Sequence, residues 1–275
     1  MNPVANETSA WALLGYGWSV MIVLMAALWW VQYRTRNAGI VDVCWAIGVG
    51  GLGVAFALFS DSGDPLRRAL VGACIGLWGL RLGIHLLKRV SSEAEDGRYQ
   101  ALRERWGERT QLYMFIFFQI QALWAVLFAI PVLAAALNPA SVGVLAWLGV
   151  AIWAVALIGE RTADRQLARF RADPANRGGV CDVGLWRYSR HPNYFFEWLH
   201  WWAYVALGIS GAWHGEPWAW VTLAGPAVML WFLLKVTGVP PTEARALTSR
   251  GEAYRAYQRR TNRFFPGPPK TGATS

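Results

Sequence analysis

Apolar residues run in seven long stretches, near residues 11–31, 40–59, 69–87, 112–137, 142–159, 194–213 and 218–236, with polar residues crowded between them. Each stretch is long enough to cross about 30 Å of hydrocarbon as a helix rising 1.5 Å per residue. The runs are continuous and not alternating, which excludes a membrane β-barrel. Backbone groups in lipid must be satisfied within the segment, and a helix does this alone. The pattern therefore predicts an all-α integral membrane protein of seven transmembrane helices, forming one membrane domain over residues 1–266. Residues 138–141 and 214–217 are short connectors, so spans four and five, and six and seven, read as antiparallel hairpins. The first stretch lacks a basic leader and a small-residue cleavage site, and reads as a retained span.

Charge placement orients the chain. Of 26 Lys and Arg residues, 23 follow odd-numbered spans; Arg67 and Arg68 lie in a loop of opposite parity and Arg81 lies inside span three. Basic residues stay cytoplasmic. The N-terminus is then expected outside and the C-terminus in the cytosol, as in a multi-pass protein of a bacterial inner membrane. Charged residues make up 16% of the chain, below the quarter or so usual in soluble domains. The net charge of +9 matches a basic face beside anionic lipid or a site for a polyanionic cofactor. With no soluble domain to carry it, nucleic-acid binding is excluded. Cys44, Cys74 and Cys181 are scattered and lack metal-ligand spacing, so neither a metal site nor a disulfide framework is expected. No internal repeat suggests an inverted-repeat transporter.

Three charged segments, 88–111, 160–193 and 237–266, fall on the same side and are too long to be connectors. The acids Asp42, Glu160 and Glu197, and the basic pair Arg81 and His85, stand at span ends on that side. Such groups are costly in a span and mark functional sites. Asp42 and Glu197 have short stems that snorkel poorly, which points to a buried polar pocket. If the fifth helix runs on past residue 159, Glu160, Asp164, Leu167 and Arg171 share one stripe. The motif Gly184-Leu-Trp186-Arg187-Tyr188-Ser189-Arg190-His191-Pro192-Asn193-Tyr194, with Glu197 after it, places arginine forks, a His and aromatic faces before a helix that starts at Pro192. Beyond span seven, Thr242 is placed to cap an amphipathic interfacial helix carrying Glu243, Leu247, Tyr254, Tyr257 and Arg259. The tail 267–275, rich in Pro, Gly and Thr, reads as disordered.

Arg187-Tyr-Ser-Arg-His-Pro-Asn-Tyr194 with Glu197, and Glu243…Tyr254-x-x-Tyr257…Phe-Phe-Pro266, resemble the DUF1295 group of the steroid 5α-reductase-like membrane enzymes. Asn37…Val41-Asp42…Trp45, Glu95-Asp-Gly-Arg-Tyr99 and Asp164-Arg-Gln-Leu…Phe170-Arg171 are similar too, so the resemblance spans most of residues 34–268. It implies an NADPH-dependent enzyme that reduces a carbon–carbon double bond in a steroid-like or other lipid substrate. By resemblance, Glu160, Asp164, Arg171, Arg187, Tyr188, Arg190, His191, Asn193, Glu243 and Arg259 would bind the cofactor, with Glu197 at the nicotinamide side. Glu160 stands where the steroid reductases carry Asn, and their Gln-Glu pair on an early helix is absent. Asp42 is the nearest acid and, protonated by burial, would donate to a substrate carbonyl. Isoprenylcysteine and phospholipid methyltransferases carry a similar Arg-His-Pro-x-Tyr loop, which in them would hold S-adenosylmethionine. That cofactor has no phosphate, and the arginines, Arg171 among them, favour a phosphorylated one.

Overall fold

The computed structural model describes residues 3–92 and 95–270, with side chains from residue 10 onward. Nine α-helices follow in order among them: α1 (Pro3–Thr35), α2 (Ile40–Phe59), α3 (Pro65–Ser92), α4 (Gly97–Trp106), α5 (Thr110–Ala136), α6 (Val144–Ala172), α7 (Pro192–Gly208), α8 (Ala224–Trp231) and α9 (Val239–Arg260). No strand occurs among the described residues. Among the described residues, six helical segments are long and apolar enough to cross a membrane: Ala10–Thr35, Ile40–Phe59, Pro65–Ser92, Gly97–Ala136, Val144–Ala172 and Pro217–Arg260. Large apolar side chains such as Val20, Val23, Leu58, Leu77 and Ile158 are exposed on them. Water would penalise so much open apolar surface, and lipid does not. The chain is a multi-pass membrane protein.

The chain divides into two compact units. One comprises Met1–Ala146 with Tyr204–Thr222, the other Trp147–Ala203 with Leu223–Ser275. In the first, α2 packs along α3 through small residues. A Cβ on Gly79 would lie 2.8 Å from the Ala46 carbonyl oxygen and from Gly50 Cα, so the two backbones meet there directly. Such contacts replace the hydrophobic drive that lipid removes. Trp78, Ile75, Val49 and Phe118 are fully buried in this core.

The predicted sixth and seventh spans are not uninterrupted α-helices. The α-helix α7 stops at Gly208 and becomes a 3₁₀ turn over Ile209–His214. A second 3₁₀ stretch, Pro217–Leu223, precedes the short α8, and a π-turn over Phe232–Val236 follows it. Packing requires glycine at 208, because a Cβ there would sit 2.9 Å from Ala135 Cα. The carbonyls released by the break are taken up: Arg67 Nη1 donates to the Leu207 oxygen and Asn138 Nδ2 to the Gly208 oxygen, at 3.0 Å for the latter. Irregular backbone at membrane depth is tolerated where protein groups satisfy it in this way.

Arg67 and Arg68, the two basic residues of the wrong parity, thus have local employment. Arg67 is 1% exposed and also reaches the Ala140 and Ser141 carbonyls. Arg68 donates to the Ala57 and Leu58 oxygens at the end of α2, where unsatisfied carbonyls and the helix dipole attract a cation.

Thr242 is not a cap. The helix α9 begins three residues earlier, with Gly238 at its N-cap and Pro240 and Pro241 in its first turn, and Thr242 Oγ1 bonds back to the Gly238 oxygen. Nor do residues 267–270 hang free: the Gly267 amide donates to the Tyr188 oxygen and the Lys270 amide to the Arg260 oxygen. Residues 271–275 of the expected disordered tail lie outside the described residues.

Candidate functional site

The second unit gathers most of the residues singled out above. The helix α6 runs unbroken to Ala172, so Glu160, Asp164 and Arg171 do share one helix. After it the chain makes a short 3₁₀ turn over Gly184–Arg187 and enters α7 at Pro192, whose missing N–H costs nothing at a helix start. The connection is tied down by long-range bonds. Trp186 Nε1 donates to the Ala163 oxygen on α6, and the Leu185 amide donates to Gln166. Ser189 Oγ donates to the Phe264 oxygen, and the Tyr257 hydroxyl of α9 donates to the Trp186 and Ser189 oxygens.

Arg190 lies at the centre of this framework. Its Nε meets Glu243 Oε1 at 2.7 Å, and its Nη1 donates to the Gln258 and Thr261 oxygens. The two side chains are only 10% and 13% exposed. His191 Nε2 lies 3.1 Å from the same Glu243 oxygen, and its ring stacks on Tyr194 with centroids 5.4 Å apart. Burial pushes the His191 imidazole below its ordinary value, against the upward pull of the Glu243 bond and charge. Arg190, His191 and Glu243, expected from the resemblance to hold cofactor, are thus bonded to one another and lock the loop onto α9.

The other candidate side chains of the unit range from buried to exposed. Asn193 Nδ2 reaches Asp164 Oδ1 at 3.2 Å, joining the first turn of α7 to α6. Arg187 and Tyr188 are exposed, and Arg259 pairs with Glu252 on the open side of α9. Glu160 is buried on α6, and Glu197 is half-buried in the second turn of α7. At the end of α6 lies a pocket of ≈ 300 Å³ lined by Phe170, Arg171, Asp173, Arg177, Gly179 and Arg250, among others. Arg171 and Arg177 are exposed and have no acidic partner among the described residues. Arg177 and Arg250 were not singled out in the sequence; only the fold brings them beside Arg171.

A second polar cluster belongs to the first unit. Asp42, in the first turn of α2, accepts from the Tyr99 hydroxyl at 2.7 Å on one oxygen and from Arg98 Nη2 at 3.1 Å on the other. Both oxygens accept hydrogen bonds, so Asp42 holds Tyr99 and Arg98 in place. Asp96, the N-cap of α4, receives the Arg98 amide and guanidinium. Burial would raise its carboxyl, but the Arg98 amide, with the Arg98 and Arg89 charges, outweighs this and holds it at about 2. Glu95 meanwhile grips Arg103 and caps the Ala38 amide. Arg81 and His85 lie one turn apart in the second half of α3. No group of three or more potential metal ligands occurs among the described residues.

The chain matches the family described as Protein of unknown function (DUF1295) over residues 28–261 and belongs to it. An uncharacterized protein of the fission yeast Schizosaccharomyces pombe is 27% identical, over 91% of this chain and 78% of its own length. No solved structure matches the chain.

Proposed function

We propose that this DUF1295 member is an NADPH-dependent membrane reductase of a carbon–carbon double bond, conjugated to a carbonyl, in a steroid-like or other lipid substrate. The observation that carries this reading is the pocket at the end of α6, where Arg171 and Arg177 present unpaired guanidiniums. Arginine forks without a carboxylate fit phosphate, of which NADPH has three and S-adenosylmethionine none. Seven spans with the N-terminus outside, a cytosolic C-terminus and an interfacial α9 belong to the same proposal, as does a bacterial inner-membrane location. Positive-inside placement of the basic residues supports that orientation.

In this reading Asp164 and Asn193 hold the sugar hydroxyls of the dinucleotide, Arg171 its phosphate, and Tyr188 a ring face. Glu160, Arg187 and Arg259 edge the site. Arg190, His191 and Glu243 fix the loop that carries these groups. Glu197 orders the reacting end. Bound NADPH supplies a hydride for the β-carbon of the double bond. Negative charge then develops on the substrate carbonyl oxygen, and preorganised donors lower the barrier by meeting it there. Asp42 is assigned a positioning role in its own unit, where it holds the Tyr99 hydroxyl and the Arg98 guanidinium.

The test is a pair of titrations on detergent-purified protein, one with NADPH and one with S-adenosylmethionine. Binding of NADPH alone is expected. Binding of the methyl donor without NADPH would replace the reductase by a membrane methyltransferase. For the acid cluster, Asp42→Asn should spare NADPH affinity while slowing NADPH oxidation with membrane lipid extract. Loss of NADPH binding in that variant would assign Asp42 to the cofactor or the fold instead.

A further inference from the structure

We propose that Arg177 and Arg250 join Arg171 in a subsite for a phosphate monoester, and that this subsite makes the protein select the 2′-phosphorylated dinucleotide over the unphosphorylated one. The inference rests on the reductase reading and deepens it.

The three arginines come from three places: the last turn of α6, the loop after it, and the middle of α9. All line one pocket with the backbone of Gly178 and Gly179. Its ≈ 300 Å³ is at the small end for a ligand site, enough for one end of a dinucleotide and not the whole. Arg250 is aimed by its Nε, which donates to the Gly179 oxygen at 2.8 Å and leaves the terminal nitrogens of the fork for a ligand. Gly178, at φ +78°, makes the turn that brings this carbonyl round. Immediately after Arg250, Gly251 takes φ +52° and interrupts α9.

Two features oppose an anion here. The pocket sits at the C-terminal end of α6, equivalent to roughly half a negative charge. Asp173 adds a carboxylate on the rim, although one of its oxygens accepts the Ala175 amide. Three full positive charges outweigh both. A purely structural role, with arginines soothing the helix end, would put their donors on α6 carbonyls or on acids. Arg171 and Arg177 make no such bond among the described residues. A dianionic monoester offers several oxygens to several forks at once, which a bridging phosphodiester with one charge does not.

Full-length protein in detergent should be titrated with NADPH and with NADH, unaltered and as Arg177→Ala, Arg250→Ala and Arg250→Lys. Each alanine variant is expected to weaken NADPH about 10- to 100-fold, the size of a lost charge-assisted bond, and to leave NADH unchanged. Arg250→Lys should fall between. Adenosine 2′-monophosphate should compete with NADPH on the unaltered protein and lose that ability in Arg177→Ala. Equal weakening of both dinucleotides, or unchanged selectivity, overturns the inference while leaving NADPH binding in place. Displacement of NADPH by phosphatidylglycerol vesicles but not by the monophosphate would also overturn it, assigning the arginines to lipid headgroups. Failure of the unaltered protein to bind NADPH would sink the reductase reading first and this inference with it. If Arg250→Ala loosens the Gly179 loop, the exposed and unbonded Arg177 still decides the matter.

Discussion

Replacing Glu243 by alanine removes the acceptor shared by three side chains. Its Oε1 takes Arg190 Nε at 2.7 Å and His191 Nε2 at 3.1 Å, and its Oε2 takes Gln258 Nε2 at 3.1 Å. Arg190 would be left with its charge uncompensated at 10% exposure. Breaking one side of a buried pair costs about 3–5 kcal/mol. Arg190 keeps its bonds to the Gln258 and Thr261 oxygens, so the lower end, about 3 kcal/mol or two powers of ten in the folding equilibrium, is expected. Removing both partners as Arg190→Met with Glu243→Met should recover much of the loss, since the stranded charge goes too. Thermal unfolding in a fixed detergent, read by tryptophan fluorescence, measures the single and double variants together. NADPH titration of the same samples supplies the second readout. A Glu243→Ala protein with unchanged stability and abolished NADPH affinity would refute the framework role and make Glu243 a ligand.

Three further expectations follow from the same geometry. Burial lowers His191 from its ordinary 6.5, so the unfolded chain takes up the proton first: stability falls as pH drops below about 6.5 until the folded value is reached, and His191→Gln should flatten that slope in thermal unfolding between pH 7 and 5. Arg67→Ala should cost about 3 kcal/mol or more, because it strips the buried Leu207 carbonyl, whereas Arg68→Ala, at the more open end of α2, should cost about 1 kcal/mol or less; equal losses on chemical unfolding in detergent would contradict the assignment. Gly79→Val should abolish accumulation of folded protein in membranes, since the new side chain would press on α2 backbone, 2.8 Å from its Cβ, that has nowhere to go; normal levels by size-exclusion chromatography would show that α2 and α3 can part.

What was legible in the sequence was what local pattern encodes. The limits of α2 coincide with the predicted second span, Pro192 opens α7 as its chemistry requires, and α6 continues far enough to put Glu160, Asp164 and Arg171 on one helix. What was not legible depends on residues that meet only in the fold. Arg190 reads as a free phosphate fork until Glu243, 53 positions away, is found against it. Asp42 reads as a buried acid until Arg98 and Tyr99 arrive from more than 50 positions away. The break at Gly208 lies inside an unrelieved apolar run. Hydropathy cannot register that Ala135 stands too close for a side chain, or that Arg67 waits for a carbonyl. Of the site, the motif loop was visible as a cluster, but its division into inward supports and outward arginines was not.

The bond from Arg67 to Leu207 joins residues 140 positions apart, and the first unit that contains them is interrupted in sequence by part of the second. A ribosome delivers the first four long helices well before the acceptor carbonyl exists. During that interval Arg67 has only the Ala140 and Ser141 carbonyls as partners, and one of its guanidinium nitrogens lacks its acceptor. Synthesis and assembly therefore run in different orders. A chain cut after residue 146 should be held by membrane chaperones or degraded, and supplying the missing half as a separate polypeptide should rescue it.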